Sequence, residues 1–396
     1  MTRVPVARPD AIRRHNLGLL LGQVHRDGEM TRAELTQRLR LSRSTIGALV
    51  SELTELGLLD ERVPSGGVRA GRPSHVVAPR PAGPYAIAVD LDITHVTTAA
   101  VGIGGHILAR HVVETTANPP GPREAAAHII DAVSVLAAQV GGHAVPVGIG
   151  VSVPGTVSRR SGSVEFAPNL EWRHEAFGAM LAAAAPPDLP VSLGNDADLA
   201  VLAEHLRGNA RDCDDVIYLM GRIGVGAGII ANGRPLRGYE GFAGEVGHNV
   251  VDASGPECHC GKRGCVETFI GEQALLTLAG RDEAATAESV AKVFADATNG
   301  DGIAASAVRT VAHALGRTIA GLVNIFDPER VLLGGSLAGV LEFARDDVVR
   351  ALTTNVLGGS ESAPQLMPPG LGDDSSLLGA AELAFTDLLL DPVGRR

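Results

Sequence analysis

Residues 247–267 read GHNVVDASGPECHCGKRGCVE, and this stretch holds three of the four cysteines in a 396-residue chain. His248, Cys258, Cys260 and Cys265 follow the pattern H-x9-C-x-C-x4-C, a Cys3His set suited to tetrahedral zinc. Four protein ligands leave no open position for a catalytic water, so the pattern predicts a structural zinc ion. The intervening DASGPE and GKRG segments are turn-rich and carry too little apolar surface to order themselves without a crosslink. Two other readings stand beside this one. His259 lies between two of the cysteines and competes as a donor, although adjacent side chains rarely converge on one tetrahedron; alternatively, the three cysteines are free thiols beside an unrelated histidine.

Working outward, 396 residues exceed one ordinary core, so two or three domains are expected. Apolar residues make up 45% of the chain and aromatics only 3%, with 49 glycines, which suits a layered α/β protein better than a β-sandwich. The opening MTRVPVARPDAIRRHN has positive charge but no apolar core behind it, unlike a secretory signal. The apolar run HAVPVGIGVSVPG is short and broken by Gly and Pro, so no membrane association is expected. A cytoplasmic, reducing location follows, where clustered cysteines serve as metal ligands rather than disulfides. Cys213 has no partner in sequence and reads as a buried thiol.

Charge is unevenly distributed. Residues 1–80 carry 13 Arg against 8 acidic side chains, a net of +5, which leaves −16 for residues 81–396. A basic head on an acidic body predicts that the head alone meets a polyanion.

In the head, apolar periodicity runs from about Ile12 to Val24 and stops near Gly28. Thr31 followed by Glu34 is a capping box that opens a short second helix. Ser42 caps a third, whose Ile46, Leu49, Val50, Leu53 and Leu56 form one stripe ending at Gly57. Two short helices, a tight connection and a longer helix predict a helix-turn-helix. Arg43, Ser44, Thr45 and Ser51 fall at the start and outer face of the third helix, where base-reading side chains belong, and Gly47 permits close approach of the backbone. LLDERVPSGGVRAGRPSHVVAP then reads as strand, glycine-rich tip and returning strand, a wing whose Arg69 and Arg72 reach phosphates or a narrow minor groove. A helical protein-docking module with a solvated basic loop is the bland alternative.

From Tyr85 the pattern becomes glycine-broken strands: three in a meander, a helix over about 123–140, then VPVGIGVSVPG. The order returns near DVIYLMGRIGVGAGIIANGRPLRG, so two similar α/β halves with a cleft between them are predicted.

Six fragments carry a family likeness: GIGVSVPG, PNLEW, GNDADLAVLAE, FAGEVGH, CHCGKRGCVE and VNIFDPERVLLGGS. In this order they resemble the ROK family of sugar kinases and sugar-responsive repressors, and with the winged head in front the likeness is to the xylose-repressor and N-acetylglucosamine-repressor type. The resemblance spans about Ala11 to Leu390. It implies an N-terminal winged helix-turn-helix over 1–80, followed by a two-lobed actin/hexokinase-like (ribonuclease H-like) domain. Lobe 1 is expected over 81–194, completed by a C-terminal helix within 376–396, and lobe 2, with the zinc, over 195–375.

The same resemblance implies that His248 gives one ring nitrogen to zinc and turns the other toward a sugar, flanked by Glu245 and Glu267. Zinc would then hold one wall of a sugar site. Carboxylates and amides suit a hydroxyl-rich ligand, and Gly155, Asn169, Asn195 and Asp196 match the family's sugar contacts. Asp196 also matches the kinases' catalytic base. Taken alone, the GND at 194–196 reads as a turn and helix cap.

ROK kinases usually carry D-x-G-G-T where backbone amides meet the nucleotide phosphates. Here VDLDITHV keeps Asp90 but has Asp92 and Ile93 in place of the glycines, a repelling charge and an obstructing branch. GRIGVGAG has Arg222 and Ile223 near the family's GTG, while LLGGS at 332–336, on the adenosine side, is retained. The resemblance therefore implies a non-enzymatic, sugar-responsive repressor that binds operator DNA as a homodimer or dimer of dimers and takes a monosaccharide effector. A sugar kinase fused to a DNA-binding domain, and an inert scaffold, are the alternatives.

Overall fold

The protein is described by a computed structural model over residues 9–63, 74–115, 119–142 and 144–394. The first helix, α1 (Pro9–Asp27), buries Leu17, Leu20, Leu21 and Val24 completely. A two-residue strand, β1 (Met30–Thr31), leads into α2 (Arg32–Leu39). The capping box forms as the sequence predicts: Glu34 N donates to the Thr31 hydroxyl at 3.2 Å, and Thr31 N donates to Glu34 Oε2 at 2.6 Å. A left-handed Arg40 (φ 54°) ends α2. Ser42 then caps α3 (Arg43–Glu55), which turns Ile46, Leu49, Val50 and Leu53 into the core. Two antiparallel strands, β2 (Leu59–Arg62) and β3 (Val76–Pro79), form the wing, with β1 on the other edge of β3. The tip between them, with Arg69 and Arg72, lies outside the described residues.

The body begins with a meander, β4 (Tyr85–Leu91), β5 (His95–Gly102) and β6 (Ile107–Glu114), followed by α4 (Pro122–Val140) and β7 (Pro146–Val153). A small sheet of β8 (Thr156–Val157), β9 (Val164–Ala167) and β10 (Trp172–Glu175) precedes α5 (Phe177–Ala184) and β11 (Val191–Asn195). Then comes α6 (Asp196–Arg207). A second meander follows: β12 (Val216–Gly221), β13 (Val225–Ala231) and β14 (Arg234–Pro235). After α7 (Glu267–Ile270), α8 (Glu272–Leu278), α9 (Ala287–Thr298) and α10 (Gly302–Phe326), the chain forms β15 (Arg330–Gly335), α11 (Ser336–Asn355), β16 (Gln365–Met367) and α12 (Ser375–Leu390).

The two five-stranded sheets have the same plan. Their orders are β11-β7-β4-β5-β6 and β14-β13-β12-β15-β16: in each, an antiparallel meander is extended from its first strand by two parallel strands. The repeat predicted from the glycine-broken strands is thus present. Both sheets bury nearly every residue of their central strands, as expected when helices cover both faces. Late in the chain, α12 returns to β7 and β4 of the first sheet and packs along α6. One continuous cluster of buried side chains runs from Leu17, Leu21 and Val24 of the head to Phe385 and Leu388 of α12, so head and body share a core. No helix among the described residues is long and apolar enough to cross a membrane.

Candidate functional site

The three-residue turn Val246–His248 and the start of α7 approach each other on one side of the interlobe cleft. Between them, a Val250–Cys265 bridge and a Glu257–Arg263 bridge fold the cysteine loop back on itself. This brings His248, Cys258, Cys260 and Cys265 together, their donor atoms all within 4.8 Å of one another. Cys258 Sγ lies 3.7 Å from His248 Nδ1 and 3.2 Å from Cys260 Sγ, which is 3.7 Å from Cys265 Sγ. Zn–S bonds of ~2.3 Å at tetrahedral angles separate ligands by roughly 3.7 Å, so the cluster fits that ion. His259 is exposed and outside the cluster. The fourth cysteine, Cys213, is fully buried and donates to the Asp215 carbonyl at 3.3 Å.

All seven sugar-site candidates, Gly155, Asn169, Asn195, Asp196, Glu245, His248 and Glu267, line one cavity between the sheets. Because Nδ1 of His248 faces the cysteines, Nε2 is the ring nitrogen left for the cavity that His248 also lines. Glu267 touches both regions, accepting from Cys258 Sγ at 2.7 Å.

Asn195 is committed to the fold. Its Oδ1 accepts from Ala197 N and Asp198 N at 2.9 and 3.1 Å, capping α6, and its Nδ2 donates to Gly155 O at 3.1 Å. The cap reading of GND is therefore correct for Asn195. At Gly155 the close approach is to the fold as well, since a Cβ there would meet Ala167 Cβ at 2.6 Å and Phe166 O at 2.7 Å.

Asp196 opens α6 and is buried. Burial pushes its carboxyl up to about 7; Arg222 pulls it down, while Asp90 and Glu245 push it further up. Asp198 is likewise raised by burial to about 7, against the pull of Arg237. Burial and the neighbouring Glu267 raise Glu245.

Arg222, which the sequence did not point to as part of the sugar site, closes the cavity on the side of the first meander. Its Nη1 donates to Asp90 Oδ2 at 3.5 Å and Asp92 Oδ2 at 3.4 Å, and Ser152 Oγ fixes the other Asp90 oxygen at 2.7 Å. Beyond it lies a second cavity, on the side of Gly335 and Ser336, which shares Asp92, Ile93, Arg222 and Ile223 with the first. These four residues lie where the two cavities adjoin. The second cavity is acidic, with Asp90, Asp92, Glu272, Asp373 and Asp374 against Arg110 and Arg222.

On the head, Arg43, Ser44 and Ser51 are exposed and Thr45 is half-buried. The Ser44 and Thr45 hydroxyls each lie 2.8 Å from Ser42 Oγ, and Ser51 Oγ donates to Gly47 O at 3.0 Å.

Two like sheets with a polar cavity between them, preceded by a winged helix-turn-helix, define an actin/hexokinase-like protein with a DNA-binding head. The chain belongs to the ROK family, which matches residues 86–387; residues 18–70 match the MarR family. The xylose repressor of Bacillus subtilis strain 168 is 25% identical over 386 residues, covering 97% of this chain and 98% of that protein. A solved ROK family transcriptional regulator, a homologue of the Escherichia coli MLC protein, superposes with a TM-score of 0.78 at 26% identity, covering 96% of this chain and 98% of that one. A ROK family glucokinase from Streptomyces griseus, solved with glucose and AMPPNP, has a TM-score of 0.64 at 31% identity, covering 76% of this chain and 99% of that one.

Proposed function

We propose that this protein is a sugar-responsive transcriptional repressor whose head binds operator DNA and whose body binds a monosaccharide. The observation that carries the reading is the convergence of Asn169, Asp196, Glu245, His248 and Glu267 on one cavity. Carboxylates accept from vicinal hydroxyls, the Asn169 amide does both, and His248 Nε2 serves one more hydroxyl. Zinc, when bound by His248, Cys258, Cys260 and Cys265, supplies a rigid crosslink that holds His248 and Glu267 in the cavity wall.

The effector is an uncharged sugar. The cavity wall carries Asp92, Asp196, Glu245 and Glu267 against a single guanidinium, that of Arg222, and this is already paired with Asp90 and Asp92. A phosphate placed there would meet net negative charge.

The protein does not transfer phosphate. Phosphoryl transfer needs a nucleotide in line with the sugar hydroxyl; the reading is supported by Asp92 and Ile93 in place of the two glycines and by the paired Arg222, all of which lie where the two cavities adjoin. The kinase alternative retains Asp90, the LLGGS segment at 332–336 and the raised Asp196 carboxyl, placed to act as a base.

Two heads act together on a two-fold operator, which makes the working unit a homodimer or a dimer of dimers in the cytoplasm. Arg43, Ser44, Thr45 and Ser51, with Arg69 and Arg72 of the wing, contact the duplex. Fluorescence anisotropy on the DNA upstream of the protein's own gene, at fixed salt, tests this. A neutral monosaccharide is expected to weaken binding; DNA affinity that no sugar alters would refute the proposal.

A further inference from the structure

Helix α6 has its first residue in the sugar cavity and its last in the joint between head and body. Asp196 lines the cavity. Arg207, at the other end of the same 12-residue helix, lies roughly 16 Å away at 1.5 Å per residue. There its guanidinium meets His25, near the end of α1 in the head, and Glu382 of α12. Nε and Nη2 donate to Glu382 Oε1 at 2.8 and 2.6 Å, and Nη1 donates to His25 O and Gly104 O at 2.9 and 2.8 Å. His25 Nε2 is 2.8 Å from Glu382 Oε2 and 2.6 Å from Arg207 Nη2, while its Nδ1 accepts from Gly104 N at 3.0 Å.

The network is buried, with His25 and Glu382 at 2% and 5% exposure. A buried charge cluster with its partners in place admits one arrangement and resists others. A second contact lies alongside. Arg211, just beyond α6, pairs with Asp27 at the end of α1, and Asp27 also pairs with Arg38 of α2. The end of α6 therefore bears on the helix that precedes the DNA-reading α3.

At its cavity end α6 is packed closely on both sides. A Cβ on Gly228 of β13 would lie 2.1 Å from Ala197 O, and one on Gly379 of α12 would lie 2.0 Å from Leu199 O. Backbone is thus packed directly on backbone, against the second sheet on one side and α12 on the other. A sugar held by Asp196, which directly follows β11 of the first sheet, and by Glu245 and Glu267, which follow the meander of the second, spans the two sheets, and α6 packs between α12 and β13. Packed elements of this kind shift as units rather than deform.

We infer that α6 is the lever by which sugar occupancy reaches the DNA-binding head, and that Arg207 is the positioning residue that transmits it through His25 and Glu382. The inference rests on the sugar-sensor reading, and the two are tested by separate readouts. Calorimetric titration of the full-length, zinc-loaded protein with D-xylose, D-glucose and N-acetylglucosamine tests the cavity; hydrogen exchange across residues 43–55 at matched sugar occupancy tests the lever. Arg207→Lys keeps the charge but cannot make the forked contacts, and Arg207→Met with Glu382→Gln removes both charges together, so neither leaves a carboxylate buried without a cation or with its charge unmatched. Both variants are expected to hold sugar within about twofold of wild-type affinity while the sugar-induced change in exchange falls by at least about fivefold. In wild type, DNA should shift the sugar affinity by the same factor that sugar shifts DNA affinity, and in the variants both factors should fall together toward one. A full sugar-induced exchange change over 43–55 in both variants would overturn the inference.

Discussion

Arg222, on the turn after β12, donates to Asp90 of β4 at 3.5 Å, and with Asp92 at 3.4 Å this joins the first strands of the two sheets across the cleft. An internal cation thereby occupies the ground between the sugar cavity and the second cavity. Titration with AMPPNP is expected to give no binding heat, with or without sugar. Arg222→Ala leaves Asp90, Asp92 and Asp196 without their counter-cation and is expected to cost about 3 kcal/mol in urea unfolding, without creating ATPase activity.

The cysteine cluster and the cavity share His248, and Glu267 lies two residues after Cys265. Stripping the metal with a chelator, or replacing Cys260 with Ser, should lower Tm and weaken sugar binding together, by about tenfold or more. Sugar affinity untouched by metal loss would separate the two sites.

Asp196 titrates near 7 because burial disfavours its charge, more strongly than Arg222 favours it. A sugar hydroxyl donates to the ionised carboxylate, so binding favours the deprotonated form and releases a proton. Affinity should therefore rise as pH increases from about 6 to 8, approaching tenfold per unit below the pKa. Calorimetry in buffers of different ionisation enthalpy checks the proton count, and Asp196→Asn should flatten the profile.

Arg43 opens α3 and is exposed. If it neutralises one phosphate per head, Arg43→Ala reduces the slope of log K against log salt by about 1 per head. An unchanged slope would remove it from the interface.

Much of this was legible locally. The capping box at Thr31 and Glu34, the Ser42 cap and the stripe of α3 each depend on residues within a few positions of one another, and they appear as the sequence predicts except that Leu56 caps α3 and is only half-buried. The metal ligands lie within 18 residues and carry a spacing specific to their chemistry. The role of Arg222 was harder to see, because its partners Asp90 and Asp92 lie 132 and 130 residues away. The polar partners of His25, in the last turn of α1, were also hidden. The helix stops at Asp27, just before Gly28 as the sequence predicts, but His25 is buried against partners 182 and 357 residues distant. A buried polar side chain interrupts the apolar pattern from which helices are read, and only the tertiary structure shows what satisfies it.

The most direct test of the sugar-sensor reading is thermal shift of the zinc-loaded protein against neutral monosaccharides and their 6-phosphates, with and without ATP. A ligand that binds the folded state raises its stability by mass action. A neutral sugar is expected to raise Tm while its 6-phosphate does not; ATP should change nothing, and Asp196→Ala should abolish the shift. A Tm indifferent to every sugar, or a shift that survives Asp196→Ala, would contradict the sensor reading.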